Sequence, residues 1–369
     1  MGAALKKTIV TFILVLIGLS GAVAAFMVIA FLTSAPSAQH KETIFEIPNG
    51  VAFHHIAHEL ESRGLVTSAL KMGLFAKFTG QATHVKVGEY LLYQDMTPTE
   101  ILQILTSGKS IAYTLVVPEG QNIYEIRDSL NRLWPARGEE FLKVVTNSTF
   151  IRELTGMNMI SLEGYLFPDT YSITKYTAVE TLARRMYDKF QETIKETNQN
   201  PKVKMPLGEQ VIMASIIEKE TGAPEERPMI SSVFHNRRHK KMRLQSDPTI
   251  IYGMIIESRG VIPANITRSD ITHPTPFNTY TVADLPMGAI SNPGKDALRA
   301  ALNPIDSSYL FFVSRNNGTH VFSESLENHN KAVTKFQLDA KEREGKSWRD
   351  LKKSRAAGKD QQKTGATAK

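Results

Sequence analysis

Hydrophobic positions along the chain change texture several times. Residues 8–33, TIVTFILVLIGLSGAVAAFMVIAFLT, are free of charge; Lys6 and Lys7 precede them and the next formally charged residue is Lys41. A helix rises about 1.5 Å per residue and about 20 apolar residues cross a bilayer core, so this stretch is long enough to span. The small residues of AVAA would suit a signal peptidase, but the apolar run continues through Phe26–Leu32, beyond the roughly 7–15 residues of a cleaved signal core. A retained transmembrane anchor is therefore expected. The lysines before it place residues 1–7 in the cytoplasm and put everything beyond a polar tether, residues 34–41, outside.

From residue 42 short strands and amphipathic helices alternate. TIFEIPNGVAFHHIAHELESRGLV predicts a strand ending at Pro48, a turn at Asn49-Gly50, and a helix with Phe53, Ile56 and Leu60 on one face. The pattern recurs in TLVVPEGQNIYEIRDSLNRL, where Val117, Pro118, Gly120, Ile123, Ile126 and Leu130 take the places of Ile47, Pro48, Gly50, Phe53, Ile56 and Leu60. Two copies imply two related βα units, not a solenoid, which usually needs at least three. Between them, VKVGEYLLYQDMTPTEILQILTSGK predicts another strand and helix. Thr97, Pro98 and Glu100 fit a capping box, and Gly108 fits a stop. Such units over residues 42–140 suit a LysM-like carbohydrate-binding module, as they would other small α+β domains.

Residues 141–344 read as longer helices separated by polar, aromatic loops: EGYLFPDTYSI, RLQSDPTIIYG and THPTPFNTYTVADLPMGAISNPG. Loops of that length and composition inside a compact domain tend to carry function. A hairpin is predicted around Asn316-Asn317-Gly318, and residues 345–369 read as a basic disordered tail. The expected fold class is α+β: one N-terminal transmembrane helix, the small βα-unit domain, and a mixed helical domain with long loops and short strands.

Charge narrows the function. The net charge is +7, but residues 346–369 hold eight Lys/Arg against two Asp/Glu, so the rest of the chain is close to neutral. With an extracytoplasmic placement and no GxxxxGK[ST] or GxGxxG phosphate loop, nucleic-acid or nucleotide chemistry is not expected. The absence of cysteine excludes disulfides, thiolate metal sites and a cysteine nucleophile. His54 with His58, and His235 with His239, have helical spacing, but no HExxH or carboxylate partner completes a zinc site, and no cofactor is expected. No GxSxG elbow is present to anchor serine acyl chemistry.

One stretch stands out: VIMASIIEKETG, residues 211–222. At 100° per residue its apolar side chains surround the axis and leave a narrow polar sector at Ser215, Glu218 and Lys219, the signature of a buried helix. Glu218 shares its face with Ala214, Ser215 and Thr221, while Glu220 points about 160° away. Burial raises a carboxyl pKa, as a general acid at neutral pH requires. Spacing alone equally allows a glutamate held by Arg227 or Arg237, or a frayed end before Gly222 and Pro224.

EGYLFPDTY (163–171), ASIIEKET (214–221), VFHNR (233–237), LQSDPTIIYG (244–253), NTYTVADLPMGAISNPG (278–294) and ALNP (301–304) resemble, in order, the motifs of the YceG-like endolytic murein transglycosylases, the MltG family. The resemblance implies a bacterial enzyme of the cytoplasmic membrane that cuts MurNAc–GlcNAc β-1,4 bonds within peptidoglycan glycan strands, leaving 1,6-anhydroMurNAc ends and ending strand elongation. It implies Glu218 as the catalytic acid and then base, with the muramyl C6 hydroxyl as nucleophile. Gln245, Asp247, Asn278, Tyr280 and Asn292, with Glu163 and Tyr165, would orient the sugars, and wall synthases would be partners. Met287 and Ala289 stand where the family often has prolines, and Arg238 where leucine is common. A non-catalytic glycan-binding scaffold for wall synthases, or a muramidase that uses water with Asp247 as base, are the alternatives.

Overall fold

The computed structural model describes residues 2–339. The chain forms two compact units: one runs to Thr114 and includes Ser172–Thr177, the other comprises Leu115–Tyr171 and the chain from Ala178. The sequence changes texture near residue 140, whereas the units part at residues 114/115, because the second strand–turn–helix copy joins the helices that follow it.

The first unit opens with α1 (Gly2–Thr33), whose stretch Thr11–Thr33 is long and apolar enough to cross a membrane. Strand β1 (Glu42–Ile47) pairs antiparallel with β2 (Gly88–Tyr93), setting Phe45 opposite Tyr90. Helices α2 (Phe53–Ser62), α3 (Ala69–Phe78) and α4 (Pro98–Ser107) complete the unit. The α4 boundaries follow from local chemistry. Thr97 and Glu100 form the capping box, Pro98 begins the helix, and Gly108 ends it at φ 74°. Phe45, Leu60, Leu65, Met72, Tyr90, Leu92 and Leu105 fill the core. The returning segment is tied in by Tyr176, whose hydroxyl donates to Glu46 Oε1 at 2.6 Å, and by Lys175 at 2.7 Å from the same oxygen. Those two partners hold the Glu46 carboxyl below its ordinary pKa. The mixture of helix and strand agrees with the α+β expectation; the LysM likeness of this unit rests on its strand–turn–helix texture alone.

Strand β3 (Tyr113–Val116) pairs with β4 (Thr170–Ile173), and the chain passes between the units within these two strands. The second unit continues with α5 (Ile123–Leu133), α6 (Arg137–Val145), α7 (Ser148–Thr155), α8 (Val179–Thr197), α9 (Leu207–Glu220), α10 (Arg227–His239), α11 (Asp247–Glu257), α12 (Arg268–Thr272) and α13 (Lys295–Leu302). The predicted hairpin follows as β5 (Phe311–Ser314) and β6 (His320–Ser323), with Asn316 and Gly318 at positive φ, and then α14 (Leu326–Val333). The basic tail expected from residue 345 lies outside the described residues.

Helix α9 is the axis of this unit, packed by α10, α11 and α13. Its Val211, Met213, Ala214, Ile216 and Ile217 are wholly buried, as the all-round apolar pattern requires. Burying each of the four larger side chains contributes roughly 1.5–3 kcal/mol. Ser215 in the same helix does different work: its hydroxyl donates to Ile212 O and accepts from Ile290 N at 3.1 Å, while its carbonyl accepts from Ser291 Oγ. One polar residue thus fastens the loop 288–292 along the helix that carries Glu218.

Candidate active site

Glu218 sits on the last turn of α9 with its side chain 6% exposed. Both carboxylate oxygens face donors. Arg227, the first residue of α10, donates from Nη2 to Oε1 at 2.8 Å, and the backbone N–H of Gly294 donates to Oε2 at 3.0 Å. The same Arg227 Nη2 lies 3.6 Å from Glu119 Oε2, so one guanidinium faces two carboxylates. A Cβ at Gly294 would meet the Glu119 carboxylate and displace it from its place beside Arg227. Glu119 is half-exposed, and burial, followed by the charge of Glu218, pushes its carboxyl above the ordinary value.

The turn that carries Glu119 is held by the loop after Ile290. Gly120 N donates to Asn292 O, Asn292 N to Gln121 O, and Lys219 Nζ reaches Gly120 O at 3.1 Å. The Asn292 side chain is fully committed: Oδ1 accepts from Gly164 N and Leu166 N, and Nδ2 donates to Gln121 O and Glu163 Oε1. Glu163 Oε2 accepts from Ile123 N and from the Tyr252 hydroxyl. Burial pushes the Glu163 carboxyl up to about 8 despite those donors. Two buried polar atoms at this turn and helix start, Gln121 Oε1 and Arg227 Nε, have no hydrogen-bond partner among the described residues.

A second cluster forms around Glu220, reached from the other side of the same turn. Its Oε1 accepts from the Ser246 hydroxyl, and burial pushes its carboxyl up to about 7, helped by the charge of Asp247. Asp247 is exposed and accepts the Tyr280 hydroxyl at 2.7 Å. Gln245 stands at φ 51° with its side chain toward Arg237 Nη1 at 3.4 Å. The arginine choice left open by spacing is decided here: Arg227 holds Glu218, whereas Arg237 spends its donors on the carbonyls of Leu310, Arg243 and Leu244.

A profile of the YceG-like family matches residues 45–335, a span that contains every group in both clusters. The chain belongs to the YceG-like family. It is 32% identical to an endolytic murein transglycosylase of Bacillus subtilis over 79% of this chain and 83% of that one. It is 29% identical to one of Streptococcus pneumoniae, covering 78% of this chain and 57% of that longer protein. The crystal structure of a YceG-like protein from Listeria monocytogenes aligns with 80% of this chain and all of its own, at 30% identity and TM-score 0.51.

Within this YceG-like chain the residues expected to bind sugar separate into three groups. Gln245, Asp247 and Tyr280 keep surface access around Glu220. Asn278 and Asn292 are fully buried and bind backbone: Asn278 Nδ2 donates to the carbonyls of Asp270, Ile271 and His273. Both asparagines hold loops in shape. Glu163 and Tyr165 line a cavity of about 300 Å³ with Ile212, Tyr252, Phe277 and Met287. Of the departures from the family pattern, Arg238 pairs with Asp284 and Glu209, and Ala289 is buried beside Phe277 and Ile290 in the core cluster. Glu119, Gln121 and Gly294 were missed in the sequence. Glu119's one signal was its place in the second Pro-x-Gly turn, where the first copy has Asn49.

Proposed function

We propose that this protein is a membrane-anchored endolytic lytic transglycosylase of peptidoglycan, with Glu218 as its catalytic residue. The carrying observation is the buried Glu218 carboxylate held by Arg227 and Gly294 N–H, with Glu119 competing for the same guanidinium. Protonated Glu218 donates to the glycosidic oxygen as the MurNAc–GlcNAc bond breaks through an oxocarbenium-like state. The resulting carboxylate takes the proton from the muramyl C6 hydroxyl, which attacks C1 and closes the anhydro ring. Holding that hydroxyl beside C1 supplies the proximity advantage, so no second enzymic carboxylate has to act as nucleophile. Arg227 must relax its grip for Glu218 to carry the proton, and Glu119 is placed to receive it. Gln245, Asp247 and Tyr280, which keep surface access, are the groups offered to the sugars.

In this reading α1 crosses the cytoplasmic membrane with Lys6 and Lys7 inside and both folded units outside. Nascent glycan strands are the substrate, wall synthases are the partner class, and the first unit is a LysM-like glycan-binding module.

A second reading has its own observation. Glu220, raised to about 7 beside Asp247, has the profile of a general acid with a nearby carboxylate, which describes a water-using muramidase. Mass analysis of glycan strands digested by the purified protein separates the readings. Anhydro ends that vanish in Glu218→Gln and persist in Glu220→Gln support the first. Reducing ends that vanish in Glu220→Gln support the second, and intact strands would leave a binding scaffold.

A further inference from the structure

Helix α3 carries a continuous apolar stripe that is largely exposed. Leu70, Leu74 and Phe78, spaced to fall along one face, are 74%, 50% and 90% exposed. The opposite face, Ala69, Met72 and Ala76, is buried in the core of the first unit. Lys71 and Lys77 border the stripe, and α3 holds no acidic residue. Exposed apolar surface gathered in this way marks an interaction site, in contrast to scattered surface leucines.

The end of α1 lies against this face. Phe31 is buried in the same core, and Leu32 O accepts the Thr99 hydroxyl at 3.1 Å. Between the two helices is a groove of about 250 Å³, walled by Met27, Val28 and Phe31 from α1 and by Leu74, Phe75 and Phe78 from α3. Lys71 Nζ stands 5.7 Å from the centre of the Phe31 ring. Met27, Val28 and Phe31 belong to the apolar stretch Thr11–Thr33, near its exit. Whatever surrounds α1 at that depth also enters the groove.

We propose that the Leu70–Leu74–Phe78 stripe is seated in the surface of the membrane that α1 crosses, with lipid acyl chains filling the α1–α3 groove. This rests on the reading of α1 as a membrane span. The stripe is the apolar face of an interfacial helix. The flanking lysines reach back to the headgroups and favour anionic lipid. The first unit is thereby held to the bilayer at two places, a spanning helix and an interfacial one, and cannot swing freely about the end of α1.

Because the chain has no cysteine, single-cysteine variants of the full-length protein can each be labelled at one position. Leu19→Cys in α1, Leu74→Cys and Phe78→Cys in α3, and Glu59→Cys on the exposed side of α2 would carry an environment-sensitive nitrobenzoxadiazole probe. The proteins would be reconstituted in phosphatidylethanolamine–phosphatidylglycerol vesicles containing lipids brominated at shallow or deep acyl positions. The expected result is loss of most emission at position 19 with deep bromines and at 74 and 78 with shallow ones, and no loss at 59. Quenching at 19 without quenching at 74 and 78 overturns the proposal while the span stands. No quenching at 19 overturns the span reading itself. Blue-shifted but unquenched emission at 74 and 78 means that protein, such as a second copy of this chain, covers the stripe, and also overturns the proposal.

Discussion

The two strand–turn–helix copies teach how one local code acquires two fates. Both turns bring glycine to the same left-handed conformation, φ 77° at Gly50 and 78° at Gly120. In the first copy the turn from Pro48 to Ala52 is exposed, a Cβ at Gly50 would meet nothing within 4 Å, and Ala52, which precedes α2, offers it no side-chain cap. In the second, a Cβ at Gly120 would sit 3.4 Å from Glu218 Cγ. There α5 begins with the Asn122–Glu125 capping box, and Ile123 N is bound by Glu163. The first turn is a connector; the second is one wall of the site. The difference lies in what the rest of the chain brings to each, chiefly Asn292 and the end of α9.

The largest test of that contrast removes the group the second turn faces. Glu218→Gln is expected to lower turnover on glycan strands by about 10²–10⁴-fold with an unchanged far-ultraviolet circular dichroism spectrum; near-normal cleavage would mean that the second turn walls no active site. Next is the anchor of the second helix start. Glu163, at about 8 when folded against an ordinary 4.5, keeps its proton in the folded state where the unfolded chain has lost it. Its contribution therefore makes stability fall as pH rises from about 4.5 to about 8. The slope approaches about 1.4 kcal/mol per pH unit for one proton. Glu163→Gln should lessen the fall of thermal stability across that window, leaving the part that Glu220 contributes up to about 7, and an unaltered slope would remove Glu163 as a source.

A smaller effect is expected from Glu119→Gln, which gives the second turn a neutral side chain nearer to the Asn49 of the first. Arg227 then has only Glu218 to bind and holds it more firmly, so turnover on glycan strands should fall with the fold unchanged. Unchanged turnover would show that Glu119 and Glu218 do not share the guanidinium in solution. Smallest is the paired substitution of the two glycines. Gly50→Ala and Gly120→Ala should each cost ~1 kcal/mol from backbone strain alone, measured by thermal unfolding, and only Gly120→Ala should also slow glycan cleavage. Equal activity in both would place the second turn away from the chemistry.

Much of the fold was legible because its determinants are local. Thr97, Glu100 and Gly108 delimit α4, Asn316 and Gly318 turn the hairpin, and Val211–Ile217 declare a helix apolar on every side. The site was legible at Glu218, one of two carboxylates that the end of that helix buries, and poorly legible elsewhere. Asn278 and Asn292 read in the sequence as polar loop residues, and nothing in the letters says that each binds four backbone or carboxylate partners. Their burial and bonding are visible only once the loops are folded.

Sequence by itself determined the apolar stretch of α1, the repeated turn, the buried α9 and the place of Glu218 within it, because each follows from periodicity or from conformational preference within a few residues. Tertiary structure decided that Arg227, not Arg237, faces Glu218, that Glu119 shares it, and that burial lifts Glu163 and Glu220. Those outcomes depend on distances between groups from 9 to more than 100 residues apart and on how much water reaches them. Such quantities exist only after α9, the second turn and the loop at Asn292 have closed on one another.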